Sequence, residues 1–358
     1  MKKLSLYLLS ALAAVAGGCS DLTELNVNPT KANGSIDPSL LVPTIQMSHS
    51  MGRQNAARFF TYPGEWVNHW SGSWGNVEYG GKGIRNNGYF ARLWQDLFYP
   101  EAVKNIVALE NIADNDPELV NYSAIAKVLR VETFLKLTDC YGDIPYFEGG
   151  QGYYQSIFSP KYDRQEAIYN DFFERLDDAL AQFDASKSSP STDCYFGGDV
   201  EKWKRFAASL KLRVAMRLIK VKPDVAQQKA REAFAAGVMT SNADIAAVKH
   251  AEDYETLGAG NGYADIILQV TGNTGLGITQ YKMTTEFFKS LCAMDPQQYT
   301  TPPYRRYLAL DPRLLLIAGV YVTTSGAGLP AWGDAVEVTE LMRKFNAGYA
   351  GNQGPADL

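Results

Sequence analysis

The sequence predicts a mainly α-helical chain, a scaffold of amphipathic helical hairpins carrying long irregular loops rich in aromatic residues and glycine, with a few short strands. Three observations carry that expectation. Apolar residues recur at spacings of three and four in separate segments, the period of one helix face. The segments open on Asp or Pro and close on Gly or Pro, as helices do. Between and beyond them lie stretches, residues 55–99 and 240–279, in which glycines separate aromatic or polar side chains.

Residues 1–18 read as a lipoprotein signal peptide. Lys2 and Lys3 precede an apolar run, Leu4 to Ala16, that is too short to anchor in a bilayer. It ends in Ala16-Gly17-Gly18-Cys19, which resembles a bacterial lipobox, so Cys19 is the expected lipidation site. Residues 19–37 then form a lipidated tether, with Asn28-Pro29 and Asn33-Gly34 as breakers, and acyl chains are expected to hold it to a membrane. Everything after it, residues 38–358, is expected to be one domain.

Asp37-Pro38 opens the first helix, with Asp37 as cap and Pro38 in the first turn, carrying Leu41 and Ile45 to about Met51. Residues 55–99 follow and hold four of the six tryptophans. Trp66, Trp70, Trp74 and Tyr79 stand beside the polar side chains Asn76, Arg85 and Asn86. Rings beside amide and guanidinium donors suit sugars, because a pyranose offers one apolar C–H face and a rim of hydroxyls. These seven residues are the candidate ligand site. Trp66, Trp70 and Trp74 are also spaced by four, which fits one buried helical face, so stacking and core packing both stand open. A long helix from Gly88 to Ala113 is expected to kink at Tyr99-Pro100.

A helical hairpin is the centre of the pattern. The first helix, Ser123 to Cys140, carries a stripe of Ala124, Val128, Val131 and Leu135, and Gly142 ends it. Pro145 prevents a restart. A loop from Glu148 to Ser159 contains Tyr153, Tyr154 and Phe158, a second candidate lip for a binding surface or only a packed turn. Asp163 and Glu166 fit a capping box for the second helix, which runs to about Phe183 through Ile168, Phe172 and Leu176. Residues 186–198 read as a polar linker. The next helix, Val200 to Lys220, shows Trp203, Phe206, Leu210 and Val214, with Arg205, Lys211, Arg213 and Arg217 as a solvated, ion-paired face. Pro223 starts a further helix to about Ala236. Later, a short helix at Thr284 to Ala293 and a strand at Leu314 to Val322 are expected.

Four segments resemble the SusD/RagB-like outer-membrane lipoproteins. They are Thr138-Asp139-Cys140-Tyr141-Gly142-Asp143-Ile144-Pro145-Tyr146, then Pro160-Lys161-Tyr162-Asp163 with Gln165-Glu166-Ala167-Ile168-Tyr169, then Trp203 to Arg213, and Asp311-Pro312-Arg313-Leu314. The resemblance implies tetratricopeptide-like hairpins and a surface lipoprotein that binds a glycan and passes it to a SusC-like TonB-dependent transporter. It also implies a further helical pair after Asp311-Pro312-Arg313, which this sequence does not show, so the C-terminal part of the family domain is expected to be missing. A peptide-binding member and a structural helical adaptor are the alternatives.

Composition narrows the choice. A hydrophobic content of 46% suits a globular fold, and a formal charge of −5 offers nucleic acid no basic face. His49, His69 and His250 are the only histidines, and Cys140, Cys194 and Cys292 show no C-x-x-C spacing, so no metal site is expected. One disulfide through Cys194 stays open. No nucleophile motif or cofactor motif is present, Asp177 and Asp178 are adjacent and cannot face one substrate, and Asp143 suits bonds to backbone N–H groups. Neither catalysis nor a cofactor is expected.

Overall fold

The computed structural model describes residues 36–50, 67, 70–71, 91, 93–250, 282–283, 292–294 and 307–310. Helices dominate. They are α1 (Pro38–His49), a π-helical segment (Leu93–Val103) running into α2 (Lys104–Ala113), α3 (Val120–Tyr141), the short α4 (Gly152–Gln155), α5 (Gln165–Gln182), α6 (Val200–Arg217) and α7 (Pro223–Ala235). Two small antiparallel pairs join β1 (Trp70–Ser71) to β2 (Lys282–Met283) and β3 (Cys292–Met294) to β4 (Tyr307–Leu310).

The helices stack in chain order: α1 on α2, α2 on α3, α3 on α5, α5 on α6 and α6 on α7. This is the expected series of hairpins. α3 is the central member. The sequence reading gave it one apolar stripe, but its position between α2 and α5 buries it all round, from Asn121 to Thr138. It also starts three residues earlier than Ser123, after a turn at Pro117–Leu119 that Asp116 caps through the Glu118 N–H (2.9 Å). Against it α5 buries Ile168, Phe172 and Leu176 completely. Burial of each such side chain contributes roughly 1.5–3 kcal/mol.

Several local expectations hold. The Asp37 carboxylate accepts from the Ser39 N–H (2.9 Å) with Pro38 in the first turn. Pro43 lies inside α1, and its missing N–H leaves the Ser39 carbonyl free; the Thr192 hydroxyl donates to that oxygen instead (2.5 Å). Pro100 lies in the π-helical segment, so the expected kink is a stretch of wider turn rather than a bend. Gly237, at φ 92°, follows α7; a cap that the sequence analysis did not name is Asp199, which holds the start of α6 through the Lys202 N–H (3.0 Å).

Others need correction. Residues 186–198 are not a free linker: the buried Asp193 ties them to α1 and α6. Lys211 is not on a solvated face but is buried, bonded to Asp177 (2.5 Å) and Glu232 (2.8 Å) where α5, α6 and α7 meet. A third helix packed on the far side of α6 is what covers it. Arg205 and Arg217 do pair, with Asp244 and Asp139. Cys292 and Ala293 belong to a strand, not to the end of a helix. Trp70 also lies in a strand, opposite Met283, which removes the helical face through Trp66, Trp70 and Trp74. Cys140 and Cys194 are thiols. The expected strand at 314–322 lies outside the described residues.

One buried cluster predicts a pH response. His49 Nδ1 lies 3.1 Å from Glu132, Lys136 lies 3.6 Å from the same carboxylate, and the Tyr195 hydroxyl donates to it (3.4 Å). Burial raises the Glu132 pKa, but the charges and hydrogen bonds of His49 and Lys136 outweigh it and hold the group at about 2. A depressed folded-state pKa gives stability that is complete above the unfolded value, about 4.3, and lost as pH falls from there toward 2. The urea midpoint is therefore expected to drop across that window. In Glu132→Gln that part of the acid response should vanish; an unchanged acid limb would show that Glu132 is not its source.

Candidate functional site

The site is built at the end of the bundle where α3 turns back into α5. Gly142 closes α3 with a positive φ of 76°, its N–H donating to the Thr138 carbonyl (2.8 Å). The chain then runs extended through Ile144, which pairs with Asp163 in both directions (2.9 and 3.3 Å). Pro145 cannot donate, and the next two N–H groups have no helix or sheet to join. The Asp163 carboxylate accepts both, from Tyr146 and Phe147, each at 2.9 Å.

This corrects the capping assignment. Asp163 is engaged by the turn and does not cap α5. Asp143 takes that task across the hairpin, accepting from the Gln165 N–H (2.9 Å), as its place in a tight turn suggested. Glu166 pairs with Lys222 rather than closing a capping box. The two acidic residues have exchanged the roles that sequence distance alone assigns, because the hairpin brings each nearer to the other strand's donors.

Beneath the turn, Arg130 is buried and holds it to the core. Its guanidinium donates to the Tyr146 carbonyl (2.7 Å) and to Glu110 (3.0 Å), and lies 4.8 and 5.0 Å from the Tyr146 and Phe134 ring centres. Arg175 bonds Glu110 (3.3 Å) and Asp171 (2.6 Å), and the Tyr146 hydroxyl donates to Asp171. Burial keeps the Tyr146 hydroxyl un-ionised, well above its ordinary range. Tyr99 donates to the Pro145 carbonyl (2.7 Å). Sequence reasoning passed over Arg130; the available signal was a guanidinium set among Ala126, Leu129, Val131 and Phe134 of one helix.

On this base sits an aromatic edge. Trp94 stacks on Tyr162 at 6.0 Å and 14°, and meets Tyr141 edge-on at 5.3 Å. Beyond it the loop exposes Tyr153 (89%), Phe158 (82%) and Tyr162 (67%), with Phe147 and Tyr154 also exposed. The loop's root is rigid. A Cβ on Gly149 would lie 2.5 Å from the Pro145 carbonyl oxygen, and one on Gly150, at φ 79°, would lie 2.9 Å from a Val103 methyl. Only glycine fits either place. Ser156, at φ 54°, is held left-handed between the rings. The loop is therefore a presented edge and not a packed turn.

Trp66, Trp74, Asn76, Tyr79, Arg85, Asn86 and Cys19 lie outside the described residues, and only the backbone of Trp70 lies within them. The chain around them is nonetheless fixed at both attachments. It leaves α1 beside His49, whose ring contacts Thr133 of α3 (2.6 Å), and rejoins at Leu93 next to Trp94. Both points lie on the hairpin half of α3. Among the described residues no group of His, Cys, Asp or Glu is placed to hold a metal ion, and no helix is long and apolar enough to cross a membrane.

The helical stack and the hairpin turn define a class, and comparison with known proteins supplies the family. Residues 29–258 match a SusD-like family described as starch-binding and associating with the outer membrane. The chain belongs to the SusD-like family. No protein of curated function matches it. Among solved structures it is similar to a chitin-binding protein at 33% identity, covering 71% of this chain and 52% of that one, with a TM-score of 0.62. A Bacteroidetes SusD-like protein shows 31% identity, 72% and 48% coverage and a TM-score of 0.64. A SusD homologue from Bacteroides uniformis, at 24% identity with 69% and 50% coverage and a TM-score of 0.57, shares the fold. The chain spans about half the length of these relatives.

Proposed function

We propose that this protein is a cell-surface lipoprotein that binds an oligo- or polysaccharide by ring stacking and hydrogen bonding and passes it to a partner TonB-dependent outer-membrane transporter. It performs no chemistry on the ligand. Cys19 carries the lipid, and residues 19–37 span from the membrane to α1. The observation that carries the reading is the match of residues 29–258 to a family described as starch-binding and associating with the outer membrane, in a chain whose residues 55–99 set rings beside amide and guanidinium donors. Rings held out in water can stack on the C–H face of a sugar. Starch binding in the family and chitin binding by one relative support the same ligand class.

The stretch holding Trp66, Trp70, Trp74, Tyr79, Asn76, Arg85 and Asn86 leaves and re-enters the fold on the same half of α3, so we place the main ligand contacts there. The test is affinity electrophoresis of the full-length lipidated chain, in a detergent without a sugar headgroup, through gels containing a panel of polysaccharides. Retardation by one of them is expected, with single Trp→Ala changes at 66, 70 or 74 weakening it about tenfold. A folded protein that no glycan retards, but that binds peptides, would replace this reading with the peptide-binding one.

A further inference from the structure

The tip of the hairpin loop has a chemical character of its own. Residues 149–160 contain no Asp, Glu, Lys, Arg or His. The charged residues on either side neutralise each other: Lys161 Nζ lies 3.7 Å from Glu148, and the Lys161 N–H donates to the same carboxylate (2.9 Å). The next acid, Asp163, is turned inward onto the Tyr146 and Phe147 N–H groups. What faces water is a set of rings and uncharged polar groups. Tyr153 and Tyr154 meet edge-on at 5.0 Å, the Phe158 ring lies against the Gly152 backbone, and Gln155, Ser156 and Ser159 are exposed between them.

From this geometry we infer a second sugar-contact surface, formed by Tyr153, Tyr154 and Phe158, that is selective for neutral glycans. The inference rests on the glycan-binding reading and adds to it a separate site and a ligand class. A glycan bearing carboxylate or sulfate groups would have to leave water without meeting a cation, and an aminated one without meeting an anion. Either loses hydration that nothing at the tip replaces. A chain of hydroxyls and N-acetyl groups loses nothing comparable, since Gln, Ser and Tyr side chains supply donors and acceptors. The constrained root means that the loop backbone is already placed, so little backbone freedom is lost on binding. Charge also argues against an acidic or basic protein partner, since the tip offers neither sign.

The experiment compares the full-length lipidated chain with Tyr153→Ala/Phe158→Ala and, separately, with Trp70→Ala. Apparent Kd values are read by affinity electrophoresis against a neutral glucan, chitin oligomers, a uronic-acid polymer and a sulfated glycan. Neutral ligands are expected to bind. The double variant should weaken them about tenfold with unchanged urea stability, and raising NaCl from about 50 mM to about 0.5 M should leave Kd within about twofold. Neutral binding that the double variant leaves intact while Trp70→Ala abolishes it would overturn the tip site and keep the function. Tighter binding of the uronic or sulfated polymer would overturn the selectivity. Binding of no glycan would remove the function itself. A change in oligomeric state on the double substitution, without change in Kd, would make the tip a self-association surface and overturn the inference.

Discussion

Replacing Arg130 by alanine is expected to destabilise the fold by about 3–5 kcal/mol, the range for breaking a buried charge pair. The side chain is 2% exposed and serves three elements at once. It neutralises Glu110 of α2, donates to the Tyr146 carbonyl of the turn, and fills the space against the Phe134 and Tyr146 rings. Alanine leaves a void and an unpaired buried carbonyl, and leaves Glu110 with Arg175 alone. Lysine keeps the charge but not the fork that reaches both oxygens, so Arg130→Lys should recover less than half of the loss. Arg175→Ala, at a side chain 25% exposed, should cost less, because water can reach the carboxylates it leaves. Urea unfolding with unchanged m-values checks all three. A loss under about 1 kcal/mol for Arg130→Ala would mean that the turn is held by Asp163 and packing instead. The functional consequence follows: a loosened turn should weaken glycan binding without touching a ring.

Much of this architecture was legible because it is local. Capping of α1 needs only Asp37 beside its own helix, and Gly142 and Gly237 end helices for reasons of backbone conformation alone. The misreadings share one cause. Asp163 had a plausible partner nearby in its own helix, but the Ile144–Asp163 pairing brought closer donors from the other strand. Lys211 has the sequence environment of a solvated residue, and only the packing of α7 on α6 shows that it is enclosed. Periodicity can report that a helix has an apolar side; it cannot report a second neighbour on the other side. The same limit applies to the candidate site. Tyr153, Tyr154 and Phe158 were visible as an aromatic loop, while their exposure depends on Gly149 and Gly150 pressing the root against Pro145 and Val103. The contact with Val103 lies between segments far apart in the chain, and nothing in the loop's own sequence encodes it.

Asp193 is the other position at which a single substitution is expected to act strongly. Its carboxylate is buried and accepts from five donors: Gln46 Nε2 (2.5 Å), the Tyr195, Phe196 and Gly198 N–H groups (2.9, 3.2 and 3.1 Å) and Trp203 Nε1 (2.8 Å). The loop 186–198 has no helix or sheet to satisfy its backbone; this side chain takes three of its N–H groups, beside Gln46 Oε1, which accepts from the Cys194 N–H, and Asn121, which donates to the Lys187 and Ser188 carbonyls, and at the same time joins α1 to α6. Asparagine has nearly the same shape but turns one oxygen into an NH2 group. Whichever way it flips, that group faces donors, and at least two bonds become donor–donor contacts. Each hydrogen bond to a charged group contributes roughly 1.5–3 kcal/mol, so Asp193→Asn is expected to lose about 3–5 kcal/mol despite conserving volume. Asp193→Ala should be comparable, with a cavity in place of the repulsion. Because Trp203 packs against Tyr195, tilted at 5.9 Å, and Phe196, edge-on at 5.4 Å between ring centres, the loss should also appear as a red-shifted tryptophan emission before global unfolding. Hydrogen exchange would locate it: the N–H groups of 195–198 should lose protection in Asp193→Asn while those of α3 keep theirs. If instead Asp193→Asn proved as stable as the parent chain, the carboxylate charge would be dispensable and shape alone would order the loop.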